Sequence, residues 1–102
     1  VAQVVVNVMY NAPVDPQAFE DYYAATHMPI AGMIPMVDKI VLLKGMEGPD
    51  GSAPAYYRMA QIYFADATTM ATAMATAEAQ AATSDIVNFA TGGASVFIAE
   101  VV

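Results

Sequence analysis

One histidine carries most of the acid/base chemistry this chain can offer. His27 lies in Phe19-Glu20-Asp21-Tyr22-Tyr23-Ala24-Ala25-Thr26-His27-Met28-Pro29, and the chain has no second histidine, no cysteine and no tryptophan. Imidazole is the side chain whose ordinary pKa lies nearest neutrality, so it is the first group to consider for moving a proton. His27 is read as the catalytic candidate, a general acid/base or hydrogen-bond donor at the mouth of an apolar pocket. The competing reading is a structural histidine that bonds a carbonyl freed just before Pro29. Tyr22, Tyr23, Met28 and Arg58 are the substrate-binding candidates. The tyrosines present hydroxyls to a ligand, or pack in the core with the OH at a rim. Met28 carries a flexible thioether that suits an adaptable pocket or plain core filling. Arg58, the only arginine, offers a fork for a carboxylate or enolate oxygen, or an ion pair with Glu100 or Asp85. Asp85 is a partner for the imidazole or, with Asn88, a cap of the last helical turn.

Other chemistries find little support. One histidine without cysteine makes a zinc site unlikely on donor grounds, and no D-x-D-x-D-G loop for calcium occurs. Gly45, Gly48 and Gly51 form no G-x-G-x-x-G after a strand, so a dinucleotide fingerprint is absent. No metal and no organic cofactor is expected. Three basic residues against ten acidic ones give a net charge of −7. That balance argues against a nucleic-acid track and against an anionic membrane surface. No apolar run approaches the ~18 residues of a membrane span. Val1 to Tyr10 lacks the basic segment of a secretory signal, and the absence of cysteine suits a cytoplasmic protein.

The elements that must position these residues alternate in period. Val4, Val6, Val8 and Tyr10 against Gln3, Val5, Asn7 and Met9 read as a strand. Asn11 to Pro16 is a turn. Asp15 can cap a helix with Pro16 at its first position, running from about Pro16 to Thr26. Phe19, Tyr22, Tyr23 and Thr26 share a face of it. Pro29 is expected to disturb the helix at His27-Met28, with a second short helical piece reaching Pro35. Val37 to Met46 and Tyr56 to Phe64 are strands, separated by the turn-rich Glu47 to Pro54. Asp66 caps a helix over about 67–82, with Met70, Met74 and Ala77 toward the sheet. Asp85 to Phe89 adds a turn that stops at Gly92-Gly93, and Ser95 to Val102 is the last strand. The single domain over 1–102 is therefore α+β, a ferredoxin-like β-α-β-β-α-β with a four-stranded antiparallel sheet and its helices on one face.

Both faces of that sheet are apolar. Val4, Val6 and Val8 oppose Val5 and Met9; Ile40 and Leu42 oppose Val41 and Leu43; Val96 and Ile98 oppose Phe97 and Val101. Helices cover one face, and a second subunit is expected on the other, making a homodimer by sheet-to-sheet packing. A hydrophobic fraction of 58% in 102 residues exceeds the ~45–50% of typical domains and points the same way.

Phe19-x-x-Tyr22-Tyr23-x-x-x-His27-x-Pro29, then Ile34-Pro35, and later Asp85-x-x-Asn88-Phe89-Ala90-Thr91-Gly92-Gly93 form a pattern that spans most of the chain. In these residues the chain resembles the EthD family, named for ethyl tert-butyl ether degradation, in the dimeric α/β-barrel superfamily. The resemblance implies ferredoxin-like subunits paired sheet to sheet, and a pocket between sheet and helices with His27 at its wall. Superfamily relatives include cofactor-free monooxygenases, lactone isomerases, cyclases and haem-dependent enzymes, and by that analogy haem ligated by His27 alone is the one cofactor the resemblance allows. One departure concerns the residues after Pro35, where the family often has a glycine and a basic residue and this chain has Met36-Val37-Asp38. Two functions follow as expectations. One is cofactor-free acid/base chemistry of isomerase, cyclase or oxygenase type on an apolar, oxygen-bearing small molecule. The other is a non-catalytic ligand-binding or accessory role for the same pocket.

Overall fold

The computed structural model describes residues 2–102. Strand β1 (Val4–Tyr10) leads through a short turn into helix α1 (Pro16–Tyr22). Asp15 starts the helix, accepting from the Ala18 N–H at 3.2 Å with Pro16 just inside; this satisfies one of the orphan donors of the first turn. Strands β2 (Lys39–Lys44), β3 (Arg58–Phe64) and β4 (Ala94–Glu100) complete a sheet of order β2-β3-β1-β4 with every pairing antiparallel. This is the expected α+β, ferredoxin-like β-α-β-β-α-β arrangement.

Helix α1 does not end at Thr26. It passes through a π turn (Tyr23–His27) into α2 (Met28–Ala31), so the backbone stays helical from Pro16 to Ala31. Met28 keeps right-handed helical angles (φ −62°, ψ −38°) although it precedes Pro29, a conformation that the proline disfavours. The relief comes from the wider turn. Met28 N–H bonds the Tyr23 carbonyl, five residues back. That spacing moves the preceding carbonyls away from the proline ring, which would otherwise crowd the one four residues before it.

The alanine-rich helix is two helices, α3 (Ala67–Met74) and α4 (Ala77–Asp85). Thr76 divides them. Its backbone is extended and its hydroxyl accepts from the Ala79 N–H at 3.2 Å, so it caps α4 instead of continuing α3. Met70 and Met74 pack on the core as expected, whereas Ala77 is exposed. Ala73 and Ala79 are fully buried and allow the helices to lie close to their neighbours.

The core sits between the helices and one face of the sheet. Val4, Val6, Val8 and Tyr10 of β1 meet Ile62 and Phe64 of β3 and Phe19, Tyr23 and Phe89 from the helical layer. Beyond it the helices stop short of β4, where Val96 and Ile98 remain exposed although they share this face. The opposite face carries Val5, Met9, Val41, Leu43, Met59 and Phe97; among the described residues no helix covers it, and although Val5 is buried, Phe97 is 62% exposed. A short polar track crosses it: Gln61 donates to Asn7 at 3.2 Å, and Asn7 donates to the Phe97 carbonyl at 3.0 Å.

Candidate functional site

The π turn places His27 at the seam between α1 and α2, facing the end of α4. Its Nδ1 lies 2.9 Å from Oδ2 of Asp85, and both side chains are almost wholly buried. The other carboxylate oxygen of Asp85 accepts from the Tyr22 hydroxyl at 2.6 Å and from the Asn88 amide at 3.0 Å. Burial pushes the Asp85 carboxyl up, but the donors from Tyr22, Asn88 and His27 together outweigh it and hold the group below the ordinary carboxylate range. The same contact raises the Tyr22 phenol, chiefly through its hydrogen bond to Asp85. An ionised carboxylate can only accept, so Nδ1 of His27 carries the proton and donates. Nε2 is then the ring nitrogen that does not face Asp85. Among the described residues it has no hydrogen-bond partner, and it is not a sealed, unsatisfied atom.

Ring packing against Tyr23 and Phe89 holds the imidazole. Phe19, Tyr23 and His27 form a column on one helix face, with Phe19–Tyr23 and Tyr23–His27 centroids 5.3 and 5.5 Å apart and nearly parallel. Phe89 closes against His27 at 4.5 Å.

Beside His27 lies a cavity of about 200 Å³ between sheet and helices. Val8, Ile62, Met28 and Val96 are among its apolar walls, and its polar-bearing residues are Tyr10, Tyr23, His27 and Thr83. The Tyr10 phenol is pushed far up, first by burial and then by its neighbour Tyr23. Tyr23 is also raised by burial, although the Arg58 charge works against this. Both hydroxyls therefore stay protonated across any physiological pH.

Of the residues singled out in the sequence, His27, Tyr23 and Met28 line this cavity. Tyr22 does not; its hydroxyl is spent on Asp85. Nor does Arg58, which pairs with Glu20 through both Nε and Nη2 while Tyr57 donates to the same carboxylate at 3.2 Å. The Arg58 guanidinium also sits 5.4 Å from the centre of the Tyr23 ring, braced against the outside of the aromatic column. Its ion-pair partner is thus Glu20, not Glu100 or Asp85. The Glu20 carboxyl is lowered mainly by the Arg58 hydrogen bond. His27 bonds a carboxylate and not a carbonyl freed near Pro29. Asn88 bonds the Asp85 side chain instead of capping a helix with it.

Tyr10 escaped the sequence reading of the site. It ends a strand whose alternation explains it as core, and only the juxtaposition with Tyr23 gives its hydroxyl a second meaning. Haem does not fit. The cavity is only slightly larger than one that holds a benzene ring, about 150 Å³, and no lysine or arginine faces it to meet propionates. Among the described residues no cluster of three or more potential metal ligands occurs, and no helix is long and apolar enough to cross a membrane.

The profile of the EthD domain matches residues 11–93, which includes the whole of the His27–Asp85 site. The chain belongs to the EthD family. An uncharacterised 11.0 kDa protein encoded between thcB and thcC in Rhodococcus erythropolis is 36% identical over 95 residues, spanning 93% of this chain and 91% of its own. The crystal structure of an EthD family protein from Bacillus halodurans superposes with a TM-score of 0.90 at 29% identity, covering 98% of this chain and 99% of that one. A dimeric ferredoxin-like protein of unknown function from Jannaschia superposes with a TM-score of 0.71 at 18% identity, covering 97% and 99%; at that identity the likeness is one of fold alone.

Proposed function

We propose that this EthD protein takes an apolar, oxygen-bearing small molecule into the cavity beside His27 and moves a proton on it. The observation that carries this reading is the pairing of His27 Nδ1 with buried, ionised Asp85. It directs the lone pair of Nε2 away from Asp85, in a ring that also forms part of the cavity wall. A neutral imidazole fixed in one tautomer by a carboxylate is the general-base half of a catalytic triad, without the nucleophile. Proton abstraction next to a carbonyl or from a phenol leaves an oxyanion. Tyr10 and Tyr23, held protonated at the same cavity, are the donors available to it. Reactions opened by such a step, of isomerase, cyclase or cofactor-independent oxygenase type, fit this equipment. Tyr22 acts through Asp85, and Arg58 acts through the Tyr23 ring that it braces.

Exchange of the α-protons of cyclohexanone in D₂O, followed by proton NMR, tests the chemistry without knowledge of the natural substrate. The protein should accelerate exchange over buffer, and His27→Gln should lose about 10²–10⁴-fold of that acceleration. Equal exchange with the variant and the parent refutes the role of His27. Binding of the ketone without exchange leaves the protein a non-catalytic ligand carrier.

We further propose that the bare sheet face pairs with that of a second copy. Its six apolar side chains and the dimeric state of the Jannaschia relative support this.

A further inference from the structure

The geometry points to a neutral ligand of about one ring in size, with a single oxygen function, and to rejection of carboxylates. This rests on the cavity being the ligand site, and it goes further by fixing size and charge. The volume sets the size. About 200 Å³ exceeds by a modest margin the ~150 Å³ apolar cavity that accepts benzene. One ring with a small substituent fills it, and two fused rings do not. The walls set the charge. No lysine or arginine lines the cavity. The chain's one guanidinium, that of Arg58, is committed to Glu20 and is not part of the cavity wall. Behind His27 stands the ionised carboxylate of Asp85, which repels an anion held against the imidazole. An anionic ligand would lose its hydration and meet no counter-charge. A neutral oxygen, by contrast, avoids that cost, and the wall carries two tyrosines and one histidine, residues suited to a hydroxyl or carbonyl. The tyrosine hydroxyls remain donors because burial keeps them protonated.

Phenol, 2-naphthol and benzoate, titrated at neutral pH and followed by methyl NMR at Ile62 and Val96, test this directly. Phenol should bind and shift these methyls. Benzoate, with the same ring and one charge, should bind at least about 100-fold more weakly. The second ring of 2-naphthol should bring no gain. Filling the cavity with Ala82→Leu should weaken phenol at least about tenfold in a protein that still folds by circular dichroism. Should that variant fail to fold, Ala60→Val reads the same wall from the sheet side. Benzoate binding as tightly as phenol, 2-naphthol binding tenfold tighter than phenol, or no phenol binding at all would each overturn the inference. The parent protein itself separates it from the proposed chemistry: phenol bound with this size and charge selection, but no exchange of ketone protons, overturns the chemistry and leaves the selection standing.

Discussion

Replacing Asp85 by asparagine should move one proton across the His27 ring. Two donors, the Tyr22 hydroxyl and the Asn88 amide, converge on Oδ1 of Asp85, and one, His27 Nδ1–H, meets Oδ2. An amide offers a single acceptor oxygen. Satisfying two donors with it leaves the NH₂ group against His27, where two N–H groups cannot face each other. The ring resolves the conflict by carrying its proton on Nε2, so that Nδ1 accepts from the new amide. The shape of the site is kept and the basic nitrogen is lost.

The cost follows from the same contacts. Hydrogen bonds to a charged acceptor contribute about 1.5–3 kcal/mol and neutral ones about 0.5–1.5 kcal/mol. Losing the charge at this three-donor site should cost about 2 kcal/mol in total, since two of the donors, Tyr22 and Asn88, are at least partly exposed. For a domain near 100 residues that lowers the melting temperature by about 8–16 °C. The activity loss should be larger in kind, about 10²–10⁴-fold in proton exchange, because the tautomer no longer presents a base. Nitrogen-15 NMR at alkaline pH reads the tautomer directly, and a single histidine makes the assignment unambiguous. The reasoning fails if the variant keeps its proton on Nδ1, or if the parent protein already carries it on Nε2.

Three other perturbations probe separate features. Glu20 and Asp85 both have carboxyls held below their ordinary values, so their contribution is complete above the unfolded carboxylate range and disappears as pH falls through the folded values. The melting temperature should be flat down to about pH 5 and drop below about pH 4, and Glu20→Gln should flatten that fall; a melting temperature that climbs in acid contradicts the sign. Met36 is left-handed at φ 64° and half exposed, so Met36→Gly should raise stability by about 0.5–1 kcal/mol in urea melts, and a loss would mean that the side chain contributes more than the strain costs. Phe97→Asp puts a charge on the uncovered sheet face, halfway along its edge strand β4, and should convert a dimer into a 10.7 kDa monomer in sedimentation; a parent that is itself monomeric removes the proposed pairing.

Where short-range signals suffice, the sequence is a good guide to this fold. The alternation of Val4 to Tyr10 and the Asp15-Pro16 start need only local chemistry, and both stand as read. The strand ends are shorter than the apolar runs suggest: β2 stops at Lys44, before Gly45. A Cβ at that glycine would lie 1.9 Å from the Tyr56 carbonyl oxygen. The division at Thr76 was hidden because threonine and alanine alternate through the whole segment, and only tertiary placement decides which threonine caps. The site was legible in part. His27, Tyr23 and Met28 are neighbours on one helical stretch, so their sharing of a cavity wall follows from spacing. Asp85 is 58 residues away and reaches His27 only because α4 packs beside α2. No periodicity encodes that distance. Arg58 misled for a plain reason: a lone arginine among apolar strand residues resembles an anion hook, but its complement was Glu20, on a different element.

The π turn ties these observations to one atom. In a regular α-helix, residues four apart advance around the axis by about 40°, so Phe19, Tyr23 and His27 would drift off a common line. The wider turn over Tyr23–His27 takes back part of that advance, and the three rings stack as a column. The same turn lets the helix continue through Pro29 and carry Met28 and Ala31 to the cavity wall. Proline is therefore a cause of the site's geometry as well as a disturbance to the helix. It favours a widened turn just ahead of itself, and that turn keeps His27 in line with Tyr23. Asp85 then fixes which nitrogen of the aligned ring is free. Stacking sets where the imidazole lies, and the carboxylate sets which nitrogen bears the proton. A residue that only filled core space would need the first and not the second.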